Sequence, residues 1–276
     1  MSLINFNFYS KYLAGNTEIS VILPDLPFDA DPKSFYLSGK KYPVLWLLHG
    51  TFGDHTDWLR RSAIELYAIE REIIVVMPSA LNSNYSNWKN TMLGYNMYDH
   101  LTEELMPMIY GWFPASDKRE NNFIAGLSMG GRGCIKYAVN RPELFAGAAA
   151  LSAAPVNFDE MVPGAANPFL DPENPRTRIS IENAGGMDSY INGEENVWAK
   201  LDALAGTGKL PQLIFACGED DALIYPNFLK FADHCKEIGI DIDVFTLPGY
   251  RHEWRFWDLS LQHALDTFGL APKRRF

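Results

Sequence analysis

The sequence predicts an α/β fold built on a mainly parallel, doubly wound sheet. Continuous apolar runs recur along the chain, and such runs are typical of strands that helices cover on both faces. Segments with apolar residues at helical spacing lie between the runs, and this alternation favours parallel strands joined by right-handed crossovers. The runs are Tyr42–Leu48, Ile73–Met77, Asn122–Ala125, Ala146–Leu151 and Leu213–Cys217, with a more mixed run at Ile242–Leu247.

Two segments near the start of the chain predict an antiparallel pair of strands. Ile4–Ser10 and Thr17–Leu23 alternate polar and apolar residues, as half-buried strands do. The segment Leu26–Lys41 is rich in Pro, Asp, Ser and Gly and is predicted to be a loop. Three amphipathic helical faces are predicted further on, formed by Tyr98, Leu101, Leu105 and Ile109, by Phe228, Phe231, Cys235 and Ile238, and by Trp257, Leu261, Leu265 and Phe268.

Residues 1–276 are predicted to form a single domain, because no linker or internal repeat divides the chain. At this length a folded chain buries about 75% of the surface that its unfolded form exposes, so core size does not limit stability. The irregular part is residues 154–208, which carry many Asn, Pro, Gly and Asp residues and one helical pattern, near Glu195–Leu204. We expect this stretch to be a lid-like insertion between the later strands.

Composition excludes several classes of protein. Hydrophobic residues make up 47% of the chain and charged residues 21%, as in ordinary globular proteins, which excludes wholesale disorder. The 24 basic against 34 acidic residues give a net charge of −10, and because such a surface repels phosphate backbones, no nucleic-acid partner is expected. Cys134, Cys217 and Cys235 are too few and too scattered for a disulfide framework or a metal finger, so they are predicted to be buried.

The first residues lack the basic and then apolar pattern of a secretory signal. No apolar run approaches the roughly 20 residues that a membrane-spanning helix needs. A cytoplasmic location without membrane contact is therefore expected.

The strongest chemical signal is the run Gly126-Leu127-Ser128-Met129-Gly130. It matches G-x-S-x-G, a sharp strand-to-helix turn that holds a serine hydroxyl above the edge of a sheet. The context agrees, since an apolar strand is predicted before the motif and a helix after it. Ser128 is therefore predicted to be a nucleophile, and a turn that merely carries a solvated serine is the alternative.

A serine hydroxyl needs a base, and in this arrangement an acid and then a histidine follow it along the chain. His234 and His263 fall inside predicted helices, whereas His252 follows the run Ile242–Leu247 in a short loop at the predicted carboxyl edge of the sheet. His252 is the predicted base. The acid is expected after Leu213–Cys217, where Glu219, Asp220 and Asp221 compete, and spacing alone does not choose between the two aspartates.

Acyl transfer also requires donors for a developing oxyanion. The residue after the nucleophile, Met129, is predicted to supply one backbone N–H. The loop after Tyr42–Leu48 reads His49-Gly50-Thr51-Phe52-Gly53, and the Thr51 N–H is predicted to be the second donor. His49 precedes the serine, so it is predicted to shape this loop and not to act as the base.

Neighbouring loops carry further candidates. The residues Asp54-His55-Thr56-Asp57 resemble part of a metal site, but no second cluster accompanies them, and a solvated loop is the favoured interpretation. We therefore expect no metal and no cofactor. Trp58, Trp88 and Trp254 are predicted to contact substrate by stacking on a sugar ring or an aromatic acyl group, with simple packing as the alternative.

Taken together, these motifs resemble those of the esterase D-like branch of the α/β-hydrolases, in particular the tributyrin, acetyl and feruloyl esterases. The resemblance runs nearly end to end. It rests on the opening strand pair closing with VILP, on LLHGTFGDHTDW, YDHLTEELMPMI, FIAGLSMGGRG, CGEDDALIYPN and PGYRHEWRFWD. In that group a Cys-Gly pair is followed by two residues and then by the catalytic Asp, which implies Asp221. The resemblance places the oxyanion donors on Thr51 and Met129.

The chain departs from the pattern of this group at two places. Many relatives have Tyr or Phe and then Gly-Ala after Ser-Met-Gly-Gly, whereas this chain has Arg132 and Cys134. Whether Arg132 faces a substrate is left open. The S-formylglutathione hydrolases carry Leu-Thr-Cys after the loop glycine, and Thr51-Phe52-Gly53 here makes that thioesterase activity the less favoured one.

The resemblance implies a serine carboxylesterase that needs no cofactor and acts on small or saccharide esters, with short-chain acyl, acetyl or feruloyl groups. The alternatives are acyl transfer to an alcohol or sugar, the thioesterase activity, and a non-catalytic carbohydrate-binding relative. The resemblance also implies a homo-oligomer, either a dimer or a tetramer.

Overall fold

The computed structural model describes residues 2–89 and 93–273 and is organised around an eight-stranded sheet. The strands of this sheet coincide with the apolar and alternating runs of the sequence. They are β1 (Ser2–Ser10), β2 (Gly15–Leu23), β3 (Val44–Leu48), β4 (Ile74–Pro78), β7 (Asn122–Leu127), β8 (Gly147–Leu151), β9 (Gln212–Gly218) and β10 (Asp243–Leu247), while β5 (Asn87–Trp88) and β6 (Tyr95–Asn96) form a separate short ladder.

The strand order is β1-β2-β4-β3-β7-β8-β9-β10. The first hairpin is antiparallel and β2 pairs antiparallel with β4, whereas every later pair is parallel. The predicted antiparallel opening and mainly parallel sheet are both confirmed. In this order β7 lies at the centre, between β3 and β8, so the loops that follow these three strands meet at one edge.

Helices cover both faces of the sheet, which makes it doubly wound. Alternate residues of β3 show this directly, because Val44, Trp46 and Leu48 belong to one buried cluster and Leu45 and Leu47 to the other. The helices are α1 (Pro32–Tyr36), α2 (Asp57–Arg61), α3 (Ile64–Arg71), α4 (Met97–Asp99) running through a π-helical turn (His100–Leu105) into α5 (Met106–Trp112), α6 (Met129–Asn140), α7 (Pro175–Asn183), α8 (Met187–Asn192), α9 (Val197–Leu204), α10 (Tyr225–Glu237) and α11 (Trp254–Thr267). Within the described ranges no helix is both long and apolar enough to cross a membrane.

The stretch 154–208 lies between β8 and β9 and is more helical than the sequence predicts. The expected helix near Glu195–Leu204 is present as α9, but α7 and α8 precede it. In α7 only Thr177 and Ile181 are buried, so the helix has no apolar periodicity to reveal it. The signal it does carry is a helix start, since the Asn174 side chain accepts a hydrogen bond from the Arg176 N–H and proline occupies the first turn.

Candidate active site

Ser128 occupies a strained turn between the central strand and the helix that follows it. β7 ends at Leu127, α6 begins at Met129, and Ser128 has φ 52° and ψ −114°, a conformation that costs energy for any residue with a side chain. Its N–H donates to the Leu151 carbonyl of the neighbouring strand at 2.8 Å. This bond helps to hold the turn, which projects the hydroxyl out of the sheet edge.

The close approach of α6 to β3 explains why Gly130 belongs to the motif. A Cβ at this position would lie 2.5 Å from the Leu48 carbonyl oxygen and 2.6 Å from the His49 carbonyl oxygen, both fixed backbone atoms. We expect Gly130→Ala to destabilise the protein by about 3 kcal/mol, at the upper end for overpacking.

Gly111→Ala in α5 is the matched control, because a Cβ there meets no atom within 4 Å. It is expected to stabilise by about 0.5–1 kcal/mol through helix propensity. Urea unfolding of the two variants checks this, and equal effects would contradict the steric argument.

His252 and Asp221 lie where the sequence predicts, in the loops after β10 and β9. The His252 Nε2 lies 2.9 Å from Ser128 Oγ, and its Nδ1 lies 2.7 Å from Asp221 Oδ2. Of the two aspartates that spacing left open, Asp221 is buried and makes this contact, whereas Asp220 is exposed. With Asp221 accepting the Nδ1–H, the Nε2 is the basic nitrogen and points at the hydroxyl.

The predicted oxyanion donors flank this serine. Met129 is the first residue of α6, so its N–H has no acceptor within the helix. Thr51 lines the same cleft as Ser128, in the loop after β3. That loop runs against the nucleophile, because a Cβ on Gly50 would lie 3.5 Å from Ser128 Cβ. The roles of Thr51 and Met129 as donors stay predictions.

His49 fixes the shape of this loop from within. It is buried, its Nε2 accepts a hydrogen bond from the Ala80 N–H at 2.9 Å, and its Nδ1 donates to the Gly50 carbonyl at 2.7 Å. Each ring nitrogen thus has a partner that suits the neutral ring, and burial lowers the pKa of His49. These contacts agree with the structural role predicted for it.

The depressed pKa of His49 predicts a pH-dependent contribution to stability. The unfolded chain takes up a proton near pH 6.5, whereas the folded chain does so only at lower pH. Stability is therefore complete above about pH 6.5 and is lost as pH falls from there toward the folded-state pKa, by at most about 1.4 kcal/mol per pH unit.

His49→Gln removes this titration. Free energies of unfolding from urea melts at several pH values between 7.5 and 5 are expected to fall less steeply in the variant than in the wild type. Parallel slopes in the two proteins would show that His49 does not titrate differently on folding.

The three side chains open onto a cleft of roughly 540 Å³. Its walls come from the loops after β3, β7, β8, β9 and β10 and from the insertion. They include Thr51, Phe52, Asp57, Arg61, Ser128, Arg132, Phe169, Arg176, His252, Glu253, Trp254 and Trp257.

Only one of the three tryptophans predicted to contact substrate lines this cleft. Trp254 does so, with its ring 5.1 Å from that of Trp58. Trp58 is 1% exposed and donates its indole N–H to the Leu48 carbonyl at 3.1 Å, so it packs in the core. Trp88 bonds to the Ser83 carbonyl and packs on Tyr95, away from the cleft. For Trp58 and Trp88 the packing alternative is therefore the correct one.

Residues from the insertion and from α6 complete the cleft; of these, the sequence singled out Arg132 but not Phe169 or Arg176. Arg132 lines the cleft and a smaller adjoining cavity, with its guanidinium 4.2 Å from the Phe169 ring centre. Arg176 reaches from α7 to donate to Thr51 Oγ1 at 3.2 Å. The Arg132 side chain, whose orientation the sequence left open, therefore borders the space beside Ser128.

The loop that resembled part of a metal site is held by ordinary polar contacts. The His55 Nδ1 lies 2.7 Å from Ser20 Oγ, and Asp54 accepts hydrogen bonds from Thr56. Among the residues described, no three His, Cys, Asp or Glu side chains are grouped to hold a metal ion. Cys134, Cys217 and Cys235 are buried free thiols, as predicted.

Comparison with known proteins agrees with this geometry. Residues 10–212 match the Esterase protein family, which is more than half of the chain. An acetyl esterase of Caldicellulosiruptor saccharolyticus is 30% identical over 276 residues, covering 96% of this chain and 97% of the relative.

Two solved structures from Staphylococcus aureus share the whole fold. One is an S-formylglutathione hydrolase, 31% identical, with a TM-score of 0.77 over 97% of this chain and 98% of the other. The second is a substrate-bound, fluorophosphonate-binding serine hydrolase, 29% identical, with the same TM-score and coverage. With its α/β-hydrolase sheet and these relatives, the chain belongs to the Esterase family and is a carboxylic ester hydrolase.

Proposed function

We propose that Ser128, His252 and Asp221 hydrolyse esters through a covalent acyl-enzyme. Ser128 Oγ attacks the ester carbonyl while His252 Nε2 takes its proton, and the Thr51 and Met129 N–H groups stabilise the oxyanion. The protonated His252 then gives its proton to the leaving alcohol as the carbonyl–oxygen bond breaks. A water molecule, deprotonated by the same nitrogen, releases the acid and restores the serine.

A single observation carries this proposal. An unbroken chain of hydrogen bonds joins Ser128 Oγ to His252 at 2.9 Å and His252 to the buried Asp221 at 2.7 Å, beside an open cleft. The chain gives the hydroxyl a base, and it gives the base an orienting carboxylate. A carbohydrate-binding protein has no need of that arrangement.

The proposed substrates are esters with short or compact acyl groups, including acetyl and feruloyl groups carried on sugars. The cleft supports both, because it is of the size of ordinary small-molecule sites and has aromatic side chains at Phe52, Phe169 and Trp254. The likeness to an S-formylglutathione hydrolase keeps thioester cleavage as a second candidate. Acyl transfer to an alcohol would use the same three side chains.

We propose further that residues 154–208 form a wall of the cleft within a single domain. The stretch is tied to the sheet-covering helices, since Lys136 Nζ lies 2.6 Å from Glu195 and Asn227 donates to the Pro155 carbonyl at 2.8 Å. These contacts favour a fixed wall over a loose lid. A cytoplasmic location and a dimeric or tetrameric state stay predictions from the sequence.

A substrate panel tests the proposal. We expect p-nitrophenyl acetate and butyrate to turn over faster than the octanoate, with methyl ferulate and acetylated xylan measured beside them. Fast release of ferulate or of xylan acetate would assign the enzyme to plant polysaccharides. Faster cleavage of S-formylglutathione than of every oxygen ester would overturn the ester assignment in favour of the thioester one.

A further inference from the structure

Two guanidinium groups border the catalytic cleft without a carboxylate to neutralise them. Arg132 donates to the neutral Asn84 Oδ1 at 3.3 Å, and Arg176 donates to the neutral Thr51 Oγ1 at 3.2 Å. Across residues 2–89 and 93–273 neither group has a carboxylate partner within ion-pairing distance, and Glu195, which acts on Arg132 from farther away, is paired with Lys136. A protein with a net charge of −10 has acidic side chains in excess, so two such cations at one site call for an explanation.

The other cations near the cleft are already paired. Lys136 forms an ion pair with Glu195 at 2.6 Å, and Arg61 lies 3.8 Å from Asp57. The uncompensated positive charge is therefore confined to the side where α6 and the insertion meet.

Arg132 stands one helical turn after the nucleophile. Its N–H donates to the Ser128 carbonyl at 3.0 Å, so the two residues share one face of α6. Side chains on a helix lean toward its N-terminus, which directs Arg132 toward Ser128. A group held by this guanidinium would thus belong to the molecule that Ser128 attacks.

The environment makes an anion the fitting ligand. Burial is the main cause that lowers the pKa of Arg132 to about 10; the charge of Arg176 acts in the same direction, and Tyr190 and Glu195 act against it. The group therefore stays charged at neutral pH while its solvation is reduced. The guanidinium lies over the Phe169 ring, 4.2 Å from its centre, a contact that restricts its position. A planar fork of donors next to a second guanidinium matches a carboxylate.

We propose that Arg132 and Arg176 form a carboxylate-binding subsite, so that the enzyme's substrates are esters bearing a carboxylate. The carboxylate belongs either to the acyl part, as in a half-ester of a dicarboxylic acid, or to the leaving alcohol. This inference rests on the proposed function, because it assigns the cleft of Ser128 to the ester.

Two matched substrate pairs test the subsite. Monoethyl succinate and ethyl isocaproate differ in the acyl part, and para-acetoxybenzoate and para-acetoxybenzamide differ in the leaving alcohol. We expect wild-type kcat/KM to favour the charged member of one pair, which identifies the part that carries the carboxylate. Arg132→Gln and Arg176→Gln are each expected to lower that charged-to-neutral ratio about 10- to 100-fold, as for one lost charge-assisted hydrogen bond.

Arg178→Gln is the control, since Arg178 is exposed on the same helix as Arg176 but does not line the cleft and lies 3.9 Å from Glu182. Its ratio is expected to match the wild type. Circular dichroism checks the fold, and if Arg132→Gln does not fold, the exposed Arg176 supplies the deciding variant. If neither Arg132→Gln nor Arg176→Gln changes the charged-to-neutral ratio of kcat/KM, the subsite proposal is overturned.

That failure is distinguishable from failure of the proposed function. Suppose that Ser128→Ala loses turnover of the neutral esters, while the charged-to-neutral ratio of kcat/KM is the same in the wild type and in both arginine variants. Only the subsite proposal is then wrong. If Ser128→Ala still hydrolyses the neutral esters, the proposed catalytic site itself is wrong.

Discussion

Replacing Ser128 with alanine is expected to lower kcat for ester hydrolysis on the order of 10⁶-fold, as loss of a serine nucleophile does in other hydrolases. Without Oγ no acyl-enzyme forms, and the residual rate comes from the oxyanion donors and substrate binding alone. Steady-state assays with p-nitrophenyl acetate measure the loss. Intact-mass analysis with a fluorophosphonate gives an independent readout, a single covalent adduct on the wild type and none on the variant.

The fold is expected to survive this substitution. The Ser128 hydroxyl bonds to His252, which is 32% exposed and can exchange this partner for water. Alanine at φ 52° is strained to about the same extent as serine, so the free energy of unfolding is expected to change by less than about 0.5 kcal/mol. Activity above a tenth of the wild type in a folded variant would refute the assignment of the nucleophile.

Asp221→Asn is expected to lower kcat/KM about 10⁴-fold. The carboxylate accepts from His252 Nδ1 and stabilises the imidazolium that forms when the serine loses its proton. An amide nitrogen facing the ring would favour the tautomer with its proton on Nε2, which cannot act as a base. The amide oxygen can still accept the Ile224 N–H, which lies 3.2 Å from Asp221 Oδ1, so the local turn is expected to remain.

Asp220→Asn is the matched control, with the same chemical change one residue earlier on an exposed side chain. We expect its kcat/KM to stay within threefold of the wild-type value. Steady-state kinetics with the ester used for Asp221→Asn measure this. A larger loss of kcat/KM in Asp220→Asn than in Asp221→Asn would show that Asp220, and not Asp221, orients His252.

The centre of the sheet could be predicted from the sequence because its strands, β3, β4, β7 and β8, are buried throughout. Strands covered on both faces need no alternation, so runs such as Ile73–Met77 identify them within one or two residues. The sequence missed α7 and α8 of the insertion, and the short helix α1 lies in the segment Leu26–Lys41, which the sequence predicts to be a loop. α7 buries only Thr177 and Ile181, and its position depends on contacts with distant loops that no local pattern encodes.

The positions of the residues that build the candidate site were predictable for a different reason. Ser128 lies in a turn whose glycines are sterically required, and His252 lies in the short loop after a strand. The positions of both residues could therefore be predicted from the motif and from the order of the strands. Asp221 and Asp220 share the same local signal, and only burial and the 2.7 Å contact distinguish them. Trp58 misled the prediction, because loop position does not reveal that its indole packs beneath Trp254.

The distance along the chain between nucleophile and base has a consequence for biosynthesis. His252 follows Ser128 by 124 residues, and the helix after it, α11, packs Phe256 and Leu261 into the core. Ser128 is therefore synthesised well before His252, and the proposed triad is complete only when the segment that carries His252 and α11 has docked on the sheet. Such remote contacts close slowly. With the proposed triad, the onset of esterase activity during refolding reports when His252 and α11 dock on the sheet.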